Sequence, residues 1–183
     1  MAKERKIDRV ILGLLSHEPL TGYDIKKRID TSIRFFWKGS FGSIYPALSD
    51  MEKNGLITRS ERKEEENSRE RIEYSITQMG REVLVDWIKT TQATNELKYE
   101  TLLKLFFGGV ADHRISLRNI ESFEANVRSE LEILKGYKEN LSKCLEDKDH
   151  VYFYLTVAFG VETYEGYLRW CQMAKETLEK IED

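Results

Sequence analysis

Three short helical patterns, an alternating β-hairpin and then long helices with narrow apolar stripes predict a mainly α-helical chain, with an N-terminal winged helix-turn-helix followed by an α-helical C-terminal half. The two parts are expected at residues 1–90 and 96–183, because the polar run Thr90-Thr-Gln-Ala-Thr-Asn95 is the best candidate linker.

The first helix is carried by Ile7, Val10, Ile11, Leu14 and Leu15, an i, i+3, i+4, i+7, i+8 stripe that the His17-Glu-Pro-Leu20 turn ends. In the second, Thr21 and Asp24 form a capping box with Asp in the place usually held by Glu or Gln, and Ile25 and Ile29 supply the buried face.

The third helix is the most informative. Ile44, Leu48 and Met51 recur at i, i+4 and i+7 and face a core, which leaves Ser43, Tyr45, Ala47, Ser49 and Lys53 on the remaining surface. Pro46 fixes the start near Gly42 or Ser43, since a helix capped at Ser40 would carry the ring in its second turn at a cost of about 3 kcal/mol. Gly55 supplies the stop. A small, weakly charged outer surface bearing hydroxyls suits a helix that enters the major groove of DNA, while an ordinary core helix of an all-α protein remains the alternative.

Downstream, Leu56 to Ser60 is partly β-branched, and Ile72, Tyr74 and Ile76 alternate with Glu73 and Ser75 as in a half-buried antiparallel strand. The charged tip between them, from Glu61 to Glu70, has no apolar residue. Three helices followed by such a hairpin is the order of a winged helix-turn-helix, with the hairpin as the wing.

The second half reads as helices with breaks. Thr77 caps a fourth helix with Val83, Leu84, Trp87 and Ile88 as its buried stripe. A fifth is expected from about Glu96 to Phe107, ended by Gly108-Gly109. From Ser116 a long helix carries Ile120, Phe123, Val127, Leu131, Leu134, Leu141 and Leu145. The last carries Val161, Tyr164, Leu168, Cys171 and Leu178 in a heptad-like register. Two such helices pack as an antiparallel pair whose leftover apolar surface serves a twofold homodimer, or form an intrachain hairpin with no oligomer role.

The formal net charge of −3 is unevenly divided. Residues 1–90 hold 17 Lys and Arg against 15 Asp and Glu, and the remainder 12 against 17. The small basic excess points to local clusters: Lys3, Arg5, Lys6 and Arg9 at the N-terminus, and Arg62, Lys63, Arg69 and Arg71 around the wing. Solvated surface is the bland reading of both.

Neither a signal peptide nor a membrane span is visible, so the cytoplasm is the expected location. Cys144 and Cys171 lack partners at metal spacing and read as reduced thiols. His17, His113 and His150 are isolated, no catalytic or phosphate-cradling motif occurs, and Glu64-Glu65-Glu66 lacks convergent geometry for a metal. No catalytic residue, metal site or cofactor is expected.

Ile11-Leu-Gly-Leu-Leu15, Leu20-Thr-Gly-Tyr-Asp-Ile25, Gly42-Ser-Ile-Tyr-Pro-Ala-Leu48, Glu52-Lys-Asn-Gly-Leu-Ile57 and Tyr74-Ser-Ile-Thr-Gln-Met-Gly80 resemble, in order and spacing, the signature blocks of the PadR family of transcriptional regulators. The C-terminal half is more loosely similar to the helical domain of longer members related to virulence-gene activators, through Glu100-Thr-Leu-Leu-Lys-Leu-Phe-Phe107 and Tyr164-Glu-Gly-Tyr-Leu-Arg-Trp170. The resemblance implies a homodimeric operator-binding regulator, commonly a repressor released by a small aromatic or phenolic ligand. A winged helix used for protein docking is the rival reading, and an enzyme the distant third.

On this reading Ser43, Tyr45 and Lys53, with Tyr23 and Lys26, touch DNA, although either tyrosine is also a candidate core aromatic. Arg62, Lys63, Arg69 and Arg71 supply phosphate contacts from the wing. An effector is expected where the helical half meets the winged helix, among Tyr99, Phe106, Phe107, Tyr152, Tyr164 and Trp170, although aromatics on helices more often fill cores.

Overall fold

A computed structural model describes residues 5–37, 43–63, 70–90, 93, 95 and 98–181. The chain separates into two compact units, residues 1–95 and 96–183.

The first unit begins with α1 (Lys6–Leu15). A two-residue strand, β1 (Leu20–Thr21), leads into α2 (Gly22–Arg28), which continues as a π-helical turn, Ile29–Ile33. Both halves of the expected capping box at the start of α2 are made. Asp24 N–H donates to Thr21 Oγ1 at 3.1 Å, and Thr21 N–H donates to Asp24 Oδ2 at 3.3 Å. The third helix, α3, spans Ile44–Lys53, so Ser43 is its N-cap and Pro46 lies in the first turn, where its missing N–H costs nothing. Gly55 ends α3 at φ 71°, a conformation that disfavours any Cβ, and Leu56 N–H then donates back to the Met51 carbonyl at 2.9 Å.

The wing consists of β2 (Ile57–Lys63) and β3 (Glu70–Ile76), antiparallel from Ile57 opposite Ile76 out to Lys63 opposite Glu70. A third strand joins them: β1 pairs with β3, Leu20 opposite Tyr74, giving the order β1-β3-β2. The sequence pattern places a turn there, because two residues are too few to show alternation. Then follows α4 (Gln78–Lys89), capped by the Thr77 hydroxyl, which accepts from Gly80 N–H at 3.0 Å.

The core of this unit joins Ile11, Leu12 and Leu15 of α1, Ile25 and Ile29, and Ile44, Ala47, Leu48 and Met51 of α3, closed by Leu20, Ile57 and Leu84. Two expectations need correction. Ala47 is fully buried, not on the outer surface of α3, since a methyl fills the seam between Ile44 and Leu48. Of the expected α4 stripe only Leu84 is buried and Val83 half-buried, while Trp87 and Ile88 are exposed. The N-terminal part of α4 approaches the core instead, through Gly80, where a Cβ would collide with the Leu56 carbonyl oxygen.

The second unit contains α5 (Glu100–Phe106), a short 3-10 turn (Gly108–Val110), α6 (His113–Ser142) and α7 (Lys148–Leu178). The pairs Glu124–Lys175, Lys135–Glu165 and Leu134 beside Gly160 run in opposite senses along α6 and α7, which therefore form an antiparallel hairpin. Ile120, Val127, Leu131 and Leu134 of α6 are buried with Val161, Cys171 and Ala174 of α7. Leu145 does not extend the seam, because α6 ends at Ser142 and Leu145 lies exposed in the turn.

One charge sits inside that seam. The Glu124 carboxylate, largely buried, accepts from Lys175 and from Arg128, and these hydrogen bonds hold its pKa below the usual range against the opposing pull of burial. Beside it Cys171 is fully buried, and burial pushes its thiol up. No described helix is long and apolar enough to cross a membrane.

Candidate nucleic-acid interface

The stripe that builds the core also decides what α3 exposes. With Ile44, Ala47, Leu48 and Met51 inward, Tyr45, Ser49, Glu52 and Lys53 point outward, and Ser43 is half-exposed at the entry. Tyr45 is 64% exposed and Tyr23 69%, so neither is a core aromatic. On α2, Tyr23 and Lys26 are three residues apart and share the exposed face opposite Ile25 and Ile29.

The two tyrosines come together. A cleft of about 450 Å³ opens between the start of α2, the first turn of α3 and the wing strand β3, with Tyr23, Tyr45, Ile72 and Tyr74 among its walls. Tyr74, whose alternation in β3 was legible, was not expected at this face. Burial pushes its hydroxyl pKa up, while the nearby Arg59 guanidinium opposes the shift.

The wing residues Arg62, Lys63 and Arg71 lie on the outer rungs of the hairpin, with Arg62 opposite Arg71. Arg69 and the acidic tip lie outside the described residues. At the N-terminal cluster, Lys3 is likewise outside them, and much of the remaining charge is engaged. Arg5 pairs with Asp8 at 3.4 Å and with Asp50 of α3 at 3.0 Å, and Lys6 lies 5.5 Å above the Trp37 ring.

The candidate effector residues divide. Tyr99, Tyr164 and Trp170 belong to one group of rings with Phe123 and Tyr167, neither of which the sequence places among the effector candidates. Tyr99 lies edge-on to Phe123 at 6.3 Å and to Tyr167 at 5.6 Å, and its hydroxyl is hydrogen-bonded to that of Tyr167. Burial, reinforced by that bond, raises the Tyr99 pKa. Phe106 and Phe107 meet only each other edge-on at 5.1 Å among the described rings and are exposed, as is Tyr152. Among the described residues there is no cluster of metal-ligating side chains.

Residues 11–86 match the transcriptional regulator PadR-like family, and residues 97–179 match the virulence activator alpha C-terminal family. Over residues 11–86 the chain is similar to the PadR-like transcriptional regulators. Among PadR relatives, the negative transcriptional regulator PadR of Bacillus subtilis is 26% identical over 96% of this chain and 99% of its own length. Its crystal structure in complex with operator DNA superposes with a TM-score of 0.82 at 25% identity, over 95% of this chain and 99% of that one. The same protein in complex with p-coumaric acid gives 0.75 at 24%, over 96% and 100%, a likeness of fold alone. The Vibrio cholerae virulence activator AphA gives a TM-score of 0.70 at 27% identity, over 94% and 97%.

Proposed function

We propose that this chain is a cytoplasmic PadR-family repressor that binds a pseudo-palindromic operator as a homodimer, with residues 1–90 on DNA and residues 96–183 joining the protomers. The observation that carries the reading is the pair Tyr23 and Tyr45, two large aromatics presented to solvent from adjoining helices whose other faces are fully buried. Folding alone gives no reason to expose them, and a groove-facing helix does. Tyr45, Ser43 and Lys53 on α3 read or flank the bases, Tyr23 and Lys26 approach the adjacent backbone, and Arg62, Lys63, Arg69 and Arg71 hold phosphates. The operator complex of the B. subtilis relative supports DNA as the partner.

The homodimer draws support from the second unit, where Leu103, Phe106, Val110, Tyr152, Leu155 and Phe159 are all exposed. A small aromatic effector is supported by the rings around Tyr99 and Trp170, where a phenol can stack while a tyrosine hydroxyl answers its polar end.

A salt titration on duplexes from the region upstream of its own gene tests the reading. Release of counterions from six to ten phosphates predicts a loss of about 10³ to 10⁵ in affinity between about 50 and 200 mM salt. A winged helix used for protein docking gives no such slope on any duplex.

A further inference from the structure

We propose that Gly22 is a positioning residue for DNA recognition: by having no side chain it forms the seat on which the Tyr45 ring rests, and so sets the direction in which that ring leaves α3. The inference rests on the reading of this face as the DNA face.

Gly22 is the first residue of α2, and it is buried. Backbone conformation does not require glycine there. Among the described residues the only glycine with positive φ is Gly55, so Gly22 sits in a region open to any L residue. Helix propensity argues against it too, since glycine is less favourable than alanine by about 1 kcal/mol. Space is what remains. A Cβ on Gly22 would lie 2.8 Å from Tyr45 Cε1 and 3.4 Å from Tyr45 Cζ, whereas its next neighbour, Leu48 Cδ1, is at an ordinary 3.5 Å. The conflict is thus with the outer edge of one ring, and that ring belongs to Tyr45, exposed on the outward face of α3.

The seat is rigid. Thr21 and Asp24 close the capping box around Gly22, and Thr21 is also held in β1, opposite Glu73 of β3. Beneath Tyr45, Leu48 is fully buried. One edge of the ring is therefore braced by α2 while its opposite side is free to solvent, and Tyr74 walls the cleft beyond. Adding a methyl to Gly22 leaves the core as it is and displaces the ring, because a side chain turning about χ1 yields more easily than a capped helix start.

The test is a double-mutant cycle in the full-length protein, with Gly22→Ala, Tyr45→Ala and the pair, on a promoter duplex and a random duplex of equal length. Gly22→Ala is expected to weaken promoter binding by about tenfold while leaving random-duplex binding within about twofold, since phosphate contacts carry the latter. In the Tyr45→Ala background the same substitution is expected to change neither affinity. An equal loss from Gly22→Ala with and without the ring, or on both duplexes alike, overturns the proposal. Thermal unfolding separates this outcome from failure of the DNA reading. If no variant distinguishes the two duplexes, the DNA reading falls, and with it the role in recognition. The seat itself then stands only if Tyr45→Ala cancels the loss of Tm caused by Gly22→Ala. Should Gly22→Ala fail to fold, the double variant is expected to fold because the space is vacated, and an unfolded double variant also overturns the proposal.

Discussion

The hydroxyl of Thr77 donates to the carbonyl oxygen of Gly55 at 2.7 Å, with that of Leu56 also within reach of the same proton at 3.0 Å, and so joins the exit of α3 to the entry of α4 across the whole wing. The same oxygen accepts from Gly80 N–H, so one side chain caps α4 and fixes the point where the hairpin leaves α3. Wing and helix are thereby held at a fixed offset.

Thr77→Val removes that link while keeping shape. It is expected to lower unfolding stability by about 0.5 to 2 kcal/mol, the range for losing an N-cap, measured by urea denaturation. Gly80→Ala forces a methyl onto the Leu56 carbonyl and is expected to cost about 1 to 3 kcal/mol, against the rule that alanine favours a helix. An unchanged midpoint in both variants would remove this link from the account.

Tyr45→Ala is expected to weaken operator binding by about 1 to 3 kcal/mol with little change in stability, because the ring is exposed and the core beneath it is untouched. Leu48→Ala, one turn on, should do the reverse and lose about 2 to 5 kcal/mol of stability. Parallel binding and denaturation curves distinguish the two.

Neutralising Arg62 or Arg71 should weaken operator and random DNA about equally, and lower the slope of log affinity against log salt by about one per lost contact. A change in operator preference with an unchanged slope would contradict phosphate contacts from the wing.

Glu124 supplies a pH dependence. Its folded pKa lies below the ordinary carboxylate value, so its ion pairs stabilise the α6–α7 hairpin fully above the unfolded value of about 4.3. That stabilisation is lost as pH falls through the lower folded value. Glu124→Gln should be less stable than the parent at pH 7, and the gap should narrow below about pH 4. Tm measured across pH checks it, and a gap constant from pH 7 to pH 3 would assign the effect to packing instead.

Large apolar residues at helical spacing were legible from sequence: Ile44, Leu48 and Met51 fixed the phase of α3, and Pro46 with Gly55 fixed its ends. Ala47, Gly22 and Gly80 were not, because a small residue shows its role only through the atoms that approach it, here Tyr45 and the Leu56 carbonyl. Trp87 and Ile88 misled for the opposite reason, being apolar and periodic beyond the point where α4 leaves the core. For the interface, helical phase gave the exposure of Tyr23 and Tyr45, but Tyr74 reaches the same cleft only through the β1–β3 pairing. Phe123 and Tyr167 meet Tyr99 only through tertiary packing, which spacing along one helix cannot reveal.

The clean division of α3 into an inward set and an outward set has an evolutionary reading. Ile44, Ala47, Leu48 and Met51 answer to the fold, and Tyr45, Ser49 and Lys53 answer to whatever lies outside it. On the proposed reading of this face, a duplicated gene can acquire a new address in the genome by substitutions at the outward positions alone, with each intermediate still folded. Gly22 is the exception, tying the freedom of one outward position to a residue on another helix, so a change of side chain at 45 widens what position 22 will tolerate.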